Sequence, residues 1–203
     1  LMLNTGVMAL FGFVFWIINA RIFTPDQVGI ATSLISAMTL ISFASALGFD
    51  ITFVRVLPGS KNRSEVINTG LLLSLVAAIT LSIAYIAVIP RITPQLGIVS
   101  QSPIHSIIFI LLVASAAINI LTDSIFVAFR AAKYNLFIDG FLMGIAKLSL
   151  PFLFFGFGAY GLFSASGLAY TLALITSIIF LIAHFGYKPK FRIDIPTLRS
   201  IFK

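Results

Sequence analysis

The residues of this chain that could do chemistry are a few charged side chains inside strongly apolar stretches. Lys147 lies close to the middle of the stretch 135–157, which is long enough to span a bilayer and also holds Asp139. A charged side chain at that depth costs about 2.5–3.5 kcal/mol on insertion scales, so it needs a partner or a use. Lys147 could attract an anionic substrate, pair with an acid that carries a coupling ion, or form a structural ion pair.

Asp139 is the first partner to consider for Lys147, because it lies eight residues earlier in the same stretch. On a helix the two residues would share one half of the surface but lie about 12 Å apart along the axis, too far for direct contact. No other acid stands at an obvious mid-span position. We therefore expect Lys147 to face a wet cavity that an anion can enter.

Three further residues are candidates for lining such a cavity: Asn19, Arg21 and Asn119. Arg21 ends the first apolar stretch, where it could line the mouth of the cavity or merely stop the span. The two asparagines could contact sugar hydroxyls, or bond across helices as packing groups with a gain of about 0.6 kcal/mol.

Gate or coupling candidates are the charged residues near the ends of the apolar stretches: Asp50, Arg55, Asp123, Arg130 and, with them, Asp139. Asp123 and Arg130 are seven residues apart, which on a continuous helix places them on one face. They could form part of a gate, or a charge pair that fixes the depth of the helix. Asp50 and Arg55 could serve a substrate entrance, or only anchor the chain at the interface.

Nothing in the sequence predicts an enzyme. It has no glycine-rich phosphate loop and no paired carboxylates at catalytic spacing, and its one glutamate, Glu65, falls in a predicted loop. His105 and His184 lie near the predicted membrane edges without an acidic cluster. We therefore predict no catalytic residue, no metal site and no cofactor.

The elements that must position these residues are membrane helices. The chain is 60% hydrophobic and 9% charged, with a mean hydropathy of +1.12, whereas a soluble domain is about 25% charged. Since a span needs about 20 mostly apolar residues, the sequence predicts an all-α polytopic bundle of six transmembrane helices. The predicted spans are 1–20, 28–49, 66–89, 103–128, 135–157 and 162–185, followed by a basic cytoplasmic tail or linker, 186–203.

Local signals set the predicted helix boundaries. Thr24 is a predicted helix cap with Pro25 at the first helical position, residues 50–65 form a predicted loop, and Pro90 closes the third span. In the fifth span, Gly140 and Gly144 form a GxxxG pattern that lets another helix approach closely. Pro151 could kink the same span.

Lysine and arginine in the loops predict the orientation. Ten of them fall on one side, against Arg21 and Arg91 on the other. Because cytoplasmic loops carry the excess of Lys and Arg, we expect both the amino terminus and the tail to be cytoplasmic. The net charge of +7 follows from these short juxtamembrane loops, and it does not indicate a nucleic-acid partner. The ten residues are Arg55, Lys61, Arg63, Arg130, Lys133, Lys188, Lys190, Arg192, Arg199 and Lys203.

Several short stretches together carry a resemblance to a known family. They are 18–31 (INARIFTPDQVGIA), 47–50 (LGFD), 54–55 (VR), 129–134 (FRAAKY) and 158–161 (GAYG). In this combination the chain resembles the amino-terminal half of the polysaccharide flippases of the O-antigen and teichoic-acid type. That family belongs to the superfamily that includes the multidrug and toxin extrusion transporters.

The resemblance implies an architecture and a substrate. The chain would be one lobe of a two-lobe transporter with twelve to fourteen helices in the cell (plasma or inner) membrane, and we expect it to be a fragment of that longer protein. The lobes would enclose a cavity that moves a polyprenyl-pyrophosphate-linked oligosaccharide to the outer leaflet by alternating access, for export of cell-surface polysaccharide. The implied partners are this substrate, the lipid bilayer and other polysaccharide assembly proteins.

Three alternatives remain open. A cation-coupled multidrug-type exporter of the same superfamily would favour acids deep in the cavity, whereas the deepest charge in the sequence is Lys147. A membrane-embedded enzyme of glycan assembly would need long outer loops with catalytic carboxylates or histidines, and the predicted outer loops are short. A purely structural membrane subunit would need no site at all.

Overall fold

The structure, a computed structural model, describes residues 2–60 and 62–189. These residues form helices joined by short turns, without a β-strand, and six of the helices are long and apolar enough to cross a membrane. The predicted all-α bundle of six transmembrane helices is therefore confirmed. The helices are α1 (Met2–Ile22), α2 (Pro25–Ser45), α3 (Phe49–Val56), α4 (Arg63–Ile92), α5 (Pro103–Ala128), α6 (Lys133–Leu153) and α7 (Gly158–Phe185).

The start of α2 follows its sequence signal. Thr24 caps the helix in an extended conformation, accepting a hydrogen bond from the backbone N–H of Gln27, while the Gln27 side chain accepts one from the backbone N–H of Thr24. Pro25 occupies the first helical position, where its missing N–H costs nothing. The predicted cap is confirmed.

The end of α2 differs from the prediction. The helix stops at Ser45, not at Phe49, because Leu47 and Gly48 adopt left-handed conformations with φ 51° and 76°. The helix α3 follows, although the sequence predicted a loop from residue 50 onwards. Its apolar side chains Phe49 and Phe53 are fully buried, and this burial holds a segment that also carries charges against the bundle.

The helix α4 continues through Pro90 to Ile92, so the prediction that Pro90 closes this span is wrong. A proline removes one backbone hydrogen bond and crowds the preceding turn. At Pro90 this penalty falls on the last turn of the helix, where neighbouring groups can compensate for it.

The helix α5 is the centre of the bundle. It packs against α2, α3, α4 and α7, and half of its most apolar stretch is buried inside the protein, against 11% for α1. The buried polar side chains of α5, Asn119 and Thr122, are consequently enclosed by the protein.

The helix α6 packs closely against α1 through its glycines. A Cβ atom on Gly144 would stand 2.6 Å from the ring of Phe11, and one on Gly140 would stand 3.1 Å from Oδ1 of Asn4. The close approach predicted from the GxxxG pattern is confirmed. Pro151 lies in the last turn of α6, which ends at Leu153, so it terminates the helix and does not kink its middle.

The chain leaving α7 is tied to the start of α4. The Tyr187 hydroxyl donates to Oδ1 of Asn68 at 2.6 Å, Asn68 donates to the Lys188 carbonyl, and the Lys188 N–H donates to Ser64. Burial raises the pKa of Tyr187 to about 12. The rest of the predicted tail, 190–203, lies outside the described residues.

Candidate functional site

Asp139 lies in an irregular part of α6. Between the α-helical Lys133–Asn135 and Met143–Leu153, the residues Leu136–Leu142 form a π-helical segment. Such segments are rare and are frequent at functional sites, since the extra residue per turn turns a side chain away from its ordinary direction. Asp139 is 3% exposed, so the segment places a carboxyl inside the bundle.

Asn119 on α5 meets this carboxyl. Its side-chain N–H donates to Oδ1 of Asp139 at 3.1 Å, and Asn119 is itself only 2% exposed. The bond joins two helices whose residues are twenty positions apart in the sequence. The sequence predicted Asn119 as a cavity residue, and the structure gives it a specific partner.

Asp123 follows Asn119 by one helical turn on α5, and its carboxyl contacts the carboxyl of Asp139. Asn135 supports the same junction by donating to the backbone carbonyl of Asp123 at 3.1 Å. The sequence could not predict this contact, because the acids lie on different helices. Two carboxyls that it treated separately thus share one position between α5 and α6.

The predicted pairing of Asp123 with Arg130 was wrong in its premise. It required one continuous helix, but α5 ends at Ala128 and Arg130 lies in the exposed turn beyond it, with φ 54°. Asp123 interacts with Asp139 instead, and Arg130 lies at the end of the bundle.

A cavity of about 160 Å³ lies beside the carboxyl pair. Residues of five helices bound it: α1, α2, α5, α6 and, through Tyr170, α7. Met8 of α1 and Phe43 of α2 are exposed on the bundle surface and mark the side on which the cavity approaches the exterior. The cavity is lined by Met8, Thr39, Ser42, Phe43, Ala116, Asn119, Ile120, Asp123, Asp139, Met143 and Tyr170.

The polar groups around this cavity contain more acceptors than donors. Among the described residues, three that line the cavity each have a buried oxygen without a hydrogen-bond partner, and Asn135 beside them has a fourth: Oδ1 of Asn119, Oδ1 of Asp123, Oδ2 of Asp139 and Oδ1 of Asn135. An ionised carboxylate only accepts hydrogen bonds, so the contact between the two acids supplies no donor by itself. A buried acceptor without a donor costs about 1–3 kcal/mol.

Lys147 lies on α6 and is not among the residues that line this cavity, although the sequence predicted that it faces one. Its side chain is half-buried, and Nζ lies 4.3 Å from the centroid of the Tyr170 ring. The ammonium also attracts Asp139 electrostatically. Lys147 therefore interacts with the carboxyl pair through its charge, and its ammonium is stabilised by a cation–π contact with Tyr170, which lines the cavity.

The remaining predicted residues lie away from the cavity. Asn19 is buried and donates to the Phe15 carbonyl of its own helix at 2.7 Å. Arg21 at the end of α1 and Arg55 on α3 are exposed, while Asp50 on α3 is half-buried. The structure does not bring these four together with Lys147.

Sequence reasoning missed Tyr170, Thr39 and Ser42 as parts of the site. All three look like ordinary residues of apolar spans, and only helix packing brings them to the carboxyl pair. A lone tyrosine in mid-helix is the one signal that could have been noticed, since a buried hydroxyl needs a partner.

Comparisons with protein-family models, with curated proteins and with solved structures find no match for this chain. What can be said of its function therefore depends on the geometry between α5, α6 and α7.

Proposed function

We propose that this chain is one lobe of a membrane transporter that moves a polyprenyl-pyrophosphate-linked oligosaccharide from the cytoplasmic to the outer leaflet by alternating access. It would act in the cell membrane, with its amino terminus cytoplasmic, and would contribute to the export of cell-surface polysaccharide. The six-helix bundle with a polar interior is compatible with such a lobe.

The observation that carries the proposal is the position of Lys147. Lys147 belongs to a membrane-spanning helix, and its ammonium lies over the ring of Tyr170, a residue that lines the cavity. A cation on an aromatic ring keeps most of its charge available, since the interaction contributes only about 0.5–2 kcal/mol. An entering pyrophosphate would gain a charge-assisted contact there, while its polyprenyl tail would remain in the lipid.

The lightly buried α1 fits a lobe that faces a second lobe. Only 11% of its most apolar stretch is buried, and it borders the cavity through Met8. A second lobe against this side would close the cavity and complete the path, as the family resemblance implies.

The test is a flipping assay on the full-length protein reconstituted in vesicles with a lipid-linked oligosaccharide. Lys147→Ala is expected to reduce transport by about tenfold or more, because a charge-assisted hydrogen bond is worth about 1.5–3 kcal/mol. Lys147→Arg should restore a large part of the activity, since it keeps the charge.

Lys133→Ala is the matched control. Lys133 also lies over a tyrosine ring, with Nζ 5.3 Å from the centroid of Tyr134, but it is exposed at the start of α6. This variant should transport normally. Full transport by Lys147→Ala would refute the role of Lys147 as a substrate cation.

A second function is favoured by the carboxyl pair, namely a cation-coupled exporter of small organic cations. Its supporting observation is the contact of Asp123 with Asp139 beside the cavity. The experiment is uptake of tetraphenylphosphonium into the same vesicles. Transport of this cation, abolished by Asp139→Asn and unaffected by Lys147→Ala, would support the exporter over the flippase.

A further inference from the structure

The two carboxyls inside the bundle cannot both carry a full charge while they touch. Asp123 and Asp139 contact each other at the junction of α5 and α6, and Asp139 is almost fully buried. Like charges that share a buried position repel strongly, and a pair of this kind ordinarily keeps one proton. A proton or another cation is therefore needed at the junction.

An independent observation points to the same conclusion. Asn119 is 2% exposed, lines the cavity, and has its Oδ1 without a hydrogen-bond partner. One N–H of its amide donates to Asp139, but no donor within the described part of the chain reaches its oxygen. A proton on the carboxyl pair supplies one further donor to the junction.

The contact geometry favours a proton over a metal ion. Carboxyl groups joined by a proton contact each other directly, and Asp123 and Asp139 interact side chain to side chain where both line the same small cavity. A hard cation held by both would stand between the oxygens, at about 2.3–2.6 Å from each for an ion such as calcium, and would separate the carboxyls. In addition, the described residues contain no group of three or more His, Cys, Asp or Glu side chains that could hold a metal.

The charge balance also calls for one proton. Asp123 and Asp139 with a single proton carry one negative charge, and the Lys147 ammonium, which attracts Asp139, carries one positive charge. The sum is zero, which is the state that a low-dielectric interior favours. Without the proton the group would hold one excess negative charge.

We propose that Asp123 and Asp139 form a proton-binding site that holds one proton, and that loss of this proton draws Lys147 from the Tyr170 ring towards the carboxyls. The proton passes to water that reaches the pair through the cavity, and no covalent bond changes apart from the O–H bond. The Lys147 ammonium would move in response to the added negative charge, since it already interacts electrostatically with Asp139.

No further titratable group of the described residues lines this cavity apart from the Tyr170 hydroxyl of α7. The helix α1 contributes Met8, and α2 contributes Thr39, Ser42 and Phe43. The pH response of the site therefore reports the carboxyl pair, with Lys147 as the counter-charge.

A consequence follows that depends on the proposed function. If Lys147 binds the pyrophosphate of the substrate, binding of the proton and binding of the anion strengthen each other. When the carboxyl pair is protonated it attracts the Lys147 ammonium less, so the ammonium can contact the anion. Such coupling is reciprocal: the anion must strengthen proton binding by the same factor as the proton strengthens anion binding.

The experiment is infrared spectroscopy on the full-length purified protein in lipid. The wild type should show the carbonyl band of one protonated carboxylic acid per chain at neutral pH, and the band should disappear as the pH rises. In Asp123→Asn and in Asp139→Asn the remaining carboxyl has only Lys147 as a charged neighbour, so the band should be lost at neutral pH.

Asp26→Asn is the control, because Asp26 is exposed in the first turn of α2, and it should keep the band. Absence of the band in the wild type at neutral pH would overturn the proposal even if a variant failed to fold. Persistence of the band in a folded Asp123→Asn, Asp139→Asn double variant would overturn it as well. Loss of the wild-type band on adding sodium at fixed pH would assign the site to a metal ion instead.

A second measurement separates this proposal from the proposed function. Binding of inorganic pyrophosphate is measured by calorimetry across the same pH range. The wild type should bind more weakly above the pH at which the band disappears, while Asp139→Asn should bind without that change. A protein that shows the band but binds no pyrophosphate at any pH would support the proton site and contradict the role of Lys147 in the flippase.

Discussion

Two interiors lie along the same central helix α5, and they are built in opposite ways. The aromatic interior consists of Tyr85, Phe109, Tyr160 and Phe163. The polar interior consists of Asn119, Asp123, Asn135 and Asp139. In the first, the ring centroids of Phe109 lie 5.2 Å from Tyr85 and 5.5 Å from Phe163 in stacked arrangements. In the second, the side chains leave four buried oxygens without a partner.

The difference between the two interiors concerns their contribution to stability. The rings fill space and gain from contact with one another, and the Tyr160 hydroxyl donates a hydrogen bond to the His105 carbonyl at 2.6 Å. The polar interior gains less from packing, because its carboxyls repel each other when both are charged, four of its buried oxygens have no hydrogen-bond partner among the described residues, and it borders a cavity. Apolar residues of similar volume would serve packing better in their place, so we infer that the polar interior serves function at the expense of stability.

The largest effect on stability is expected in the aromatic interior. Phe109 is fully buried between two rings, so Phe109→Ala should lower the free energy of unfolding by about 3–5 kcal/mol through lost contacts and the cavity left behind. Phe13→Ala is the control, since Phe13 is 65% exposed on α1. Equal losses in the two variants, measured by chemical unfolding in detergent micelles, would show that this interior is not the stabilising one.

A smaller effect is expected where α1 closes the polar interior. The Cβ atom in Gly144→Ala would stand 2.6 Å from the ring of Phe11, which must force α1 outwards at a cost of about 1–3 kcal/mol. Gly12→Ala, on α1 itself, meets nothing within 4 Å and should be neutral. The measurement is the unfolding midpoint of both variants, and an unchanged midpoint for Gly144→Ala would mean that α1 is not held at this distance.

The smallest effect on stability is expected in the polar interior itself. Asp139→Asn keeps a side chain of similar size and puts an N–H donor where the pair holds its proton. The free energy of unfolding should therefore change by less than about 1 kcal/mol, or rise. A loss comparable to that of Phe109→Ala would abolish the contrast between the two interiors. Thermal unfolding followed by circular dichroism at neutral pH is the suitable measurement.

Much of the fold could be predicted because it depends on local signals. Hydropathy over about 20 residues identifies a span without knowledge of its neighbours, and the Thr24 cap and the GxxxG pattern are equally local. The predictions that were wrong lie at Leu47 and Pro90. At the first, two residues with left-handed backbone conformation end α2 early, and at the second α4 continues two residues beyond a proline.

The membrane-spanning class, the number of spans and the presence of charges inside them could be read from the sequence, because each follows from composition along a short stretch. Which charges meet depends on how the helices pack. Asp123 and Asp139 lie on different helices, the π-helical segment turns Asp139 inwards, and Tyr170 comes from a third helix to support Lys147. The physical reason is that a helix face can be calculated from spacing, while the rotation and approach of two packed helices depend on every side chain between them.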